Sequence, residues 1–493
     1  MKKYLKKIHI DIYHTGIDIQ DFFKKYRYVL ISSVIAGILI NCIDIFTFKF
    51  GIDSEIVPYY NHFIKNRYGS LILYNLFPFL SYNIISQLTG LISLIFAALL
   101  MISRHNIPNI AKSFFIIIFI SATYFVHLQY FFFQSAYNFI GLLLVVIAFR
   151  IIENNKYILT HLLAVGLLFI GISSYQSNFS VFLSVIMLNV MLNFINDKNI
   201  KKALALIIKS LLILLISLII YYISIKIIST NINEYHLQFI LWTRHNISSV
   251  LVNIIHFIFT YDKAIYLYLT LIILYIIFNF NNTKDRLFFL FLSFFFILSV
   301  YSLIIVMGNQ MAIRTRTPLA LLPAFVFLLL YIFKDDNVLK SVAVIFALIV
   351  IFVNTSSSLK LQNTAKLSFE QDKITASRIL DIMYTKYPEI YTGKYRVTFY
   401  GSIYPNNHYL KKSSDTFNGS FFSWDNGNPY RIYRFLKIMG MSDNIGFSDY
   451  IEYNKNLTNA PENLIELIKK MPSYPSPDCV QLYKDTVIVK LSD

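Results

Sequence analysis

Long apolar runs, separated by short basic connections, set the strongest limit on how this chain of 493 residues can fold. About 20 apolar residues are needed to cross a hydrocarbon core as a helix. The predicted spans cover residues 28–46, 83–103, 113–127, 138–150, 158–174, 179–195, 203–227, 264–281, 287–306, 318–333 and 339–354. Hydrophobic residues make up 56% of the chain and charged residues only 14%, against about a quarter charged in soluble proteins. The sequence therefore predicts a polytopic α-helical membrane protein and excludes a soluble enzyme.

Lysine and arginine are distributed unevenly between alternate connections. The N-terminal segment and one set of connections hold 18 of them: Lys2, Lys3, Lys6, Lys7, Lys24, Lys25, Arg27, Arg104, Lys112, Arg150, Lys156, Lys198, Lys201, Lys202, Lys284, Arg286, Lys334 and Lys340. The other set holds 7: Lys49, Lys65, Arg67, Arg244, Lys263, Arg314 and Arg316. Because cytoplasmic loops carry the excess of positive charge, we predict a cytoplasmic N-terminus. Eleven spans then place the C-terminus outside.

The polar stretch after the last predicted span has a different character. It contains strand-like segments at Tyr395–Tyr400 and Thr486–Leu491 and a helix-like segment at Gln371–Tyr387. It is long enough to bury a core of its own. We therefore predict a cytoplasmic N-terminal segment (1–27), a transmembrane domain (28–354) and an extracytoplasmic α/β or α+β domain (355–493).

The first predicted external loop, residues 47–82, holds two carboxylates, Asp53 and Glu55, near the outer end of the first span. Carboxylates near a bilayer surface lose hydration unless they bind a cation, pair with a base or carry out proton chemistry. A solvated loop with two unrelated acids is the alternative. The same loop also contains Lys65 and Arg67.

Two other predicted external segments carry candidate ligands. Arg314 and Arg316 depart from the positive-inside trend, and an arginine pair at this depth suits a phosphate or simple snorkelling to lipid headgroups. Tyr175 and Gln176 offer a phenol and an amide for a sugar ring, or for a polar helix–helix contact. We interpret the aromatic connection at 128–137 as a belt at the membrane interface.

Motifs for several other chemistries are missing from the sequence. It contains no Walker A, HExxH, paired CxxC or G-x-S-x-G motif. Its histidines lack metal-ligand spacing, so we assign no residue as a metal ligand. Its two cysteines, Cys42 and Cys479, are not expected to form a disulfide.

The combined pattern resembles the GT-C class of membrane glycosyltransferases. More closely, it resembles the Gtr-type glucosyltransferases that modify bacterial O-antigen. The resemblance rests on the loop with Asp53, Glu55 and Asn66-Arg67-Tyr68, on the turn Ser174–Ser177, and on residues 421–440 with the helix Asp372–Arg378 before them.

This resemblance implies transfer of a sugar, with glucose as the expected one, from a polyprenyl-phosphate donor to a surface polysaccharide. The reaction would be an inverting displacement on the outer face of the bacterial inner membrane. Asp53 would deprotonate the acceptor hydroxyl, and Glu55 would orient the acceptor or share this role. The donor phosphate would bind Arg67, Arg314, Arg316 and Lys65. The sugar contacts would be Tyr175, Gln176 and Trp424, and Trp424 also fits a core position in the C-terminal domain.

The implied partners are the lipid-linked donor, the glycan acceptor, the bilayer, a donor-making synthase and a flippase, with no nucleic acid. A cofactor requirement stays open, since two carboxylates can hold a divalent cation such as Mg²⁺ or Mn²⁺. Two alternative functions also stay open. A polysaccharide polymerase usually carries a large external loop in mid-chain, and a transporter or flippase for lipid-linked glycans predicts internal repeats and broken helices.

Overall fold

A computed structural model describes residues 19–52, 67–154, 157–228, 240–261, 263–308, 312–333, 336–405, 419–451, 457 and 460–493. The predicted site residues Asp53, Glu55 and Lys65 lie outside these residues. The chain divides into two compact units. The helical unit contains the described residues up to 45 and within 67–358, and the mixed unit contains those within 46–52 and 359–493.

The described part of the helical unit consists mainly of α-helices. In chain order they are α1 (Ile19–Ile40), α2 (Cys42–Phe46), α3 (Tyr68–Leu76), α4 (Asn83–Ile102), α5 (Asn109–Ser121), α6 (Thr123–Gln129), α7 (Phe132–Asn154), α8 (Ile158–Ser174), α9 (Ser177–Asp197), α10 (Ile200–Ile228), α11 (Ile247–Tyr261), α12 (Ala264–Asn279), α13 (Thr283–Val300), α14 (Ser302–Met307) and α15 (Leu321–Ile332). The next helix, α16 (Asn337–Lys386), begins in the helical unit and ends in the mixed unit.

Several helices can cross a membrane. Among the described residues, α4, α7, α9, α10 and α16 are long and apolar enough, and the number rises from 5 to 7 if the bent pairs α5–α6 and α11–α12 each form one span. The helices α1 and α13 are apolar after a charged N-terminal part, and α8 is a shorter apolar helix. The chain is therefore a helical membrane protein. The complete set of eleven spans stays a prediction.

The observed helices differ from the predicted spans: the predicted spans 28–46, 113–127 and 287–306 are each divided into two helices, and three further differences concern α3, α11 and α16. The structure has α3 inside the predicted loop 47–82, and α11 in a stretch with no predicted span. At 15 residues, α11 is shorter than the apolar run that identifies a span. The 50-residue helix α16 joins a predicted span to a predicted separate helix. Residues 355–370 contain no Gly or Pro that would end a helix between them.

Basic side chains cover the C-terminal ends of two helices in the helical unit. Arg150 is 8% exposed, and its Nε donates to the carbonyl oxygen of Leu100 at 2.6 Å, in the last turn of α4. Its Nη1 lies 2.5 Å from Oε2 of Glu153. Lys209 Nζ donates to the carbonyl oxygen of Ile152 at 2.6 Å, in the last turn of α7. Carbonyl groups there lack intrahelical donors, and the helix dipole favours positive charge. This region is named the Arg150 end.

The described part of the mixed unit contains a four-stranded sheet of order β2-β1-β4-β3. Its strands are β1 (Arg396–Tyr400), β2 (Gly446–Phe447), β3 (Val480–Tyr483) and β4 (Thr486–Lys490). The central strand β1 is parallel to β2 and β4, with Val397 opposite Phe447 and Val487, whereas β3 is antiparallel to β4. The strands predicted at 395–400 and 486–491 are confirmed as β1 and β4.

Helices α16, α17 (Pro429–Ile438) and α18 (Glu462–Lys470) complete the described elements of the mixed unit. Its core joins Phe369 of α16 to the inner side chains of β1 and α17. Ile52 is fully buried in the same core, and Lys49 Nζ lies 3.4 Å from the carbonyl oxygen of Gln362. The beginning of the predicted external loop thus belongs to the mixed unit, whereas the predicted boundaries assign it to the transmembrane domain.

Candidate functional site

Arg67 is a predicted phosphate ligand in the described part of the first loop, directly before α3. Its Nη1 donates to Oε1 of Gln134 at 2.5 Å. Its guanidinium carbon lies 5.3 Å from the centre of the Tyr175 ring, in a cation–π contact. The structure therefore brings Arg67 together with Tyr175, a predicted sugar ligand. This region, formed by the start of α7 and the turn between α8 and α9, is named the Arg67 end.

Close packing of three helices positions Arg67. A Cβ atom on Gly69 of α3 would lie 2.0 Å from the carbonyl oxygen of Ile170 in α8. A Cβ atom on Gly141 of α7 would lie 1.8 Å from Oγ of Ser174, the last residue of α8. Any larger residue at either position would separate these helices. The two glycines thus allow α3 and α7 to approach the end of α8, from which the next turn begins.

That turn carries the predicted sugar ligands Tyr175 and Gln176. The Tyr175 side chain is 3% exposed, so its ring faces protein groups, including the Arg67 guanidinium. Gln176 Nε2 donates to Oη of Tyr221 in α10 at 3.3 Å. Oγ of Ser177 lies 3.1 Å from Oγ1 of Thr317. The contact between Ser177 and Thr317 connects the turn to the segment that contains Arg314 and Arg316.

The two arginines of that segment rest on aromatic rings within the helical unit. The guanidinium carbon of Arg314 lies 4.8 Å from the ring centre of Phe131, and that of Arg316 lies 4.7 Å from the ring centre of Phe257. Both arginines are half-buried. These contacts orient the two cations through protein aromatic groups, which an arginine extended to lipid headgroups would not require.

The start of α7 connects the two arginine regions. Phe131 lies under Arg314, and Gln134 accepts the hydrogen bond from Arg67. The backbone N–H of Gln134 donates to the carbonyl oxygen of Phe131 at 3.0 Å, so both side chains belong to one turn. The three predicted segments, at Arg67, at the Tyr175 turn and at Arg314, are thus linked through direct contacts.

The prediction of an interfacial aromatic belt at 128–137 is wrong. Tyr130, Phe131 and Phe133 are between 2% and 4% exposed, and Gln134 is 4% exposed. This connection is packed inside the helical unit, whereas an interfacial belt would face lipid. Sequence reasoning does not select Gln134 as a site residue. The one signal that could have found it is its polar side chain among aromatic neighbours.

The family model for glucosyl transferase GtrII matches residues 45–333. The chain belongs to this family. The match covers more than half of the chain and includes every residue of the Arg67 end described above. No curated protein and no solved structure gives a significant match. The resemblance to the Gtr-type glucosyltransferases is confirmed, and the chain is a member of a membrane glucosyltransferase family.

Trp424, the remaining predicted sugar ligand of this GtrII-family chain, lies in the mixed unit. It begins a short turn, Trp424–Asn426, in which Asp425 and Asn426 have φ angles of 54° and 56°. The indole is half-buried and packs against the core of the mixed unit. This position agrees with the alternative that Trp424 is a core residue.

Asp372 holds together the two C-terminal stretches on which the sequence comparison above relies, both of which lie outside the family match. This side chain is 3% exposed, and its Oδ1 accepts a hydrogen bond from Oγ of Ser420 at 2.6 Å, while Oδ2 accepts one from the backbone N–H of Phe421 at 2.7 Å. Burial raises the pKa of Asp372 to about 7, and the two hydrogen bonds oppose this rise. Asp372 therefore joins α16 to the Trp424 turn.

Within the described ranges, no three His, Cys, Asp or Glu side chains form a group that could hold a metal ion. The predicted acidic pair, Asp53 and Glu55, is not part of these ranges. Asp53 and Glu55 therefore remain the candidate ligands for a divalent cation. The described part of the site consists of arginine, amide and phenol groups, which suit an anionic or hydroxyl-bearing ligand.

Proposed function

We propose that this GtrII-family protein transfers glucose from a polyprenyl-phosphate donor to a cell-surface polysaccharide of the O-antigen type. The observation that carries the proposal is the Arg67 guanidinium, held by Gln134 and Tyr175 within the family match. A lipid phosphate gains negative charge as it leaves the sugar, and a fixed arginine stabilises that charge. Arg314, Arg316 and Lys65 are the further candidate ligands of the phosphate.

The reaction we propose is a single inverting displacement of the GT-C type. The acceptor hydroxyl attacks the anomeric carbon, and the bond from that carbon to the phosphate oxygen breaks, with its electron pair passing to the phosphate. Asp53 accepts the hydroxyl proton, and Glu55 orients the acceptor or shares the base role. Gln176 and Tyr175 are candidate sugar contacts, and Trp424 is a candidate acceptor contact. A divalent cation at the acidic pair would add Lewis-acid stabilisation when bound.

The proposed reaction takes place on the extracytoplasmic face of the bacterial inner membrane, with the N-terminus inside and the C-terminus outside. The excess of lysine and arginine on alternate connections supports this orientation. A synthase makes the lipid-linked donor and a flippase delivers it. A reporter that works only outside the cytoplasm, fused after Asp493, should be active. An active cytoplasmic reporter at the same position would contradict the orientation.

The decisive experiment is transfer by the purified protein in nanodiscs from synthetic polyprenyl-phosphate glucose to an O-antigen acceptor. NMR of the product should show an inverted anomeric configuration. Asp53→Asn should lower the rate at least ~100-fold, because the amide keeps the shape of the side chain and loses its basicity. Lys226→Met, which removes an exposed lysine of α10, serves as the control and should keep the wild-type rate. Normal transfer by Asp53→Asn would remove Asp53 as the base.

A further inference from the structure

We propose that Gln134 is a positioning residue that orients Arg67 toward the donor phosphate. This inference rests on the proposed function and extends it to a residue outside the predicted set. A guanidinium group has donors and no acceptor. The atom of Gln134 that lies 2.5 Å from Arg67 Nη1 must therefore be the amide oxygen, which fixes the orientation of the amide.

The contact fixes the guanidinium group of Arg67 in two directions. Gln134 holds one nitrogen of the group through a hydrogen bond, and the group lies over the Tyr175 ring, with its carbon atom 5.3 Å from the ring centre. A planar donor fork binds phosphate with geometric selectivity only when its plane is set. An arginine with a preset plane also loses less rotational freedom when the phosphate binds.

Hydrogen bonds hold the backbone turn that carries Gln134 in place. Its backbone N–H donates to the carbonyl oxygen of Phe131 at 3.0 Å. The neighbouring Ser135 Oγ lies 2.9 Å from Oγ of Ser86 in α4, and the same Ser86 oxygen accepts from the backbone N–H of Ala136 at 3.3 Å. Gln134 therefore stands on a turn anchored to a second helix, as a positioning residue requires.

The amide nitrogen of Gln134 adds a second donor at this position. No described residue accepts a hydrogen bond from it, and the oxygen on the other side of the amide is directed to Arg67. A phosphate at Arg67 would then meet the guanidinium and the amide NH₂ group together. Replacement by glutamate would keep an acceptor for Arg67 but place negative charge where the phosphate binds.

A double-mutant cycle tests the inference. Gln134→Leu, Arg67→Ala and the double variant are assayed in nanodiscs for kcat/KM and for binding of polyprenyl-phosphate glucose. We expect Gln134→Leu to lower kcat/KM roughly tenfold in the wild-type background and to have little effect in the Arg67→Ala background. Equal losses in both backgrounds, or no loss in the wild-type background, would overturn the inference.

Two further variants separate positioning from general structural damage. Gln87→Leu is the matched control, because Gln87 is 3% exposed and its Nε2 donates to the carbonyl oxygen of Gln129 at 2.9 Å. Its effect on kcat/KM should be the same with and without Arg67. Gln134→Glu replaces Gln134→Leu if the leucine variant does not fold, and it should raise KM for the donor roughly tenfold with a smaller change in kcat. A wild-type KM in Gln134→Glu would contradict the inference.

The failure of this inference is distinguishable from the failure of the proposed function. Wild-type kinetics in Arg67→Ala would remove Arg67 from the donor site, and the role of Gln134 would fall with it. A strong defect in Arg67→Ala combined with additive effects of Gln134→Leu would leave the donor site in place and reject the positioning role alone.

Discussion

The Arg150 end and the Arg67 end of the helical unit both contain buried or half-buried cations, but they bind them in different ways. At the Arg150 end, Arg150 and Lys209 donate to carbonyl oxygens in the last turns of α4 and α7, and Arg150 also pairs with Glu153. At the Arg67 end, the guanidinium groups contact aromatic rings and an amide, as Arg67 does with Tyr175 and Gln134.

This difference indicates what each group of cations contributes. Carbonyl groups at helix C-termini need donors in any folded state, so cations that cover them stabilise the fold. An aromatic ring has no unsatisfied acceptor that requires a cation, and a cation–π contact contributes about 0.5–2 kcal/mol, less than the loss when one partner of a buried ion pair is removed. We therefore expect substitutions at the Arg150 end to change stability, and those at the Arg67 end to change transfer.

The largest expected effect concerns a buried acidic side chain, Asp372, which accepts hydrogen bonds from Ser420 and from the backbone of Phe421, neither of which is a cation. Its folded-state pKa is raised to about 7 from 3.8. Between these pH values the folded state binds more protons than the unfolded state, so stability should fall as pH rises, by about 4 kcal/mol in total. Thermal unfolding of the full protein between pH 4 and pH 8 measures this slope.

Asp372→Asn is the matched variant for that measurement. Its amide can accept from the backbone N–H of Phe421 and donate to Ser420, so the contacts are kept without a titrating group. The pH slope should become flatter in this variant. An unchanged slope would show that burial of Asp372 does not control stability.

Arg150→Met should lower the free energy of unfolding by about 3 kcal/mol, the lower part of the range for breaking a buried ion pair. Arg104 stays 3.7 Å from Glu153 and limits the loss. The unfolding midpoint in detergent measures the change. Turnover per folded molecule should stay normal. A loss of turnover without a loss of stability would contradict the assignment of the Arg150 end to stability alone.

Arg314→Lys and Arg316→Lys should each lower kcat/KM roughly tenfold to hundredfold, since a charge-assisted contact to phosphate contributes about 1.5–3 kcal/mol. Lysine cannot supply the planar donor pair of arginine. Kinetics against donor concentration would separate a ground-state contact from one formed as the phosphate leaves. Normal kinetics in both variants would indicate that these arginines only anchor the protein and would leave Arg67 as the phosphate ligand.

Lys209→Met should have the smallest effect, a loss of up to about 1 kcal/mol of stability, because it removes a cation from the C-terminal end of α7. Lys360→Met, which replaces an exposed lysine in the middle of α16, is the control and should change the unfolding midpoint less. If Lys209→Met lowered transfer without lowering stability, the Arg150 end would have a role beyond helix termination.

Much of the fold could be predicted from sequence periodicity and composition. Apolar length identifies the long helices, and the short strand-like segments identify β1 and β4 in the mixed unit. The continuity of α16 could not be predicted, because its middle residues are polar and compatible with both helix and loop. The charge of Arg150 counts as a topology signal in the sequence, whereas the structure uses Arg150, and Lys209 as well, to cover helix ends.

The sequence by itself determined the class of protein, since apolar runs of this length can only be buried in lipid or in a helical interior, and it selected Arg67 and Tyr175 as candidate ligands. The tertiary structure decided which groups meet. Gln134 contacts Arg67 across 67 positions of sequence, and Gly69 lets α3 approach α8, which leads into the Tyr175 turn, more closely than a larger residue would permit. Sequence patterns report the environment of one helix or strand, whereas a contact between helices depends on how closely their backbones can pack.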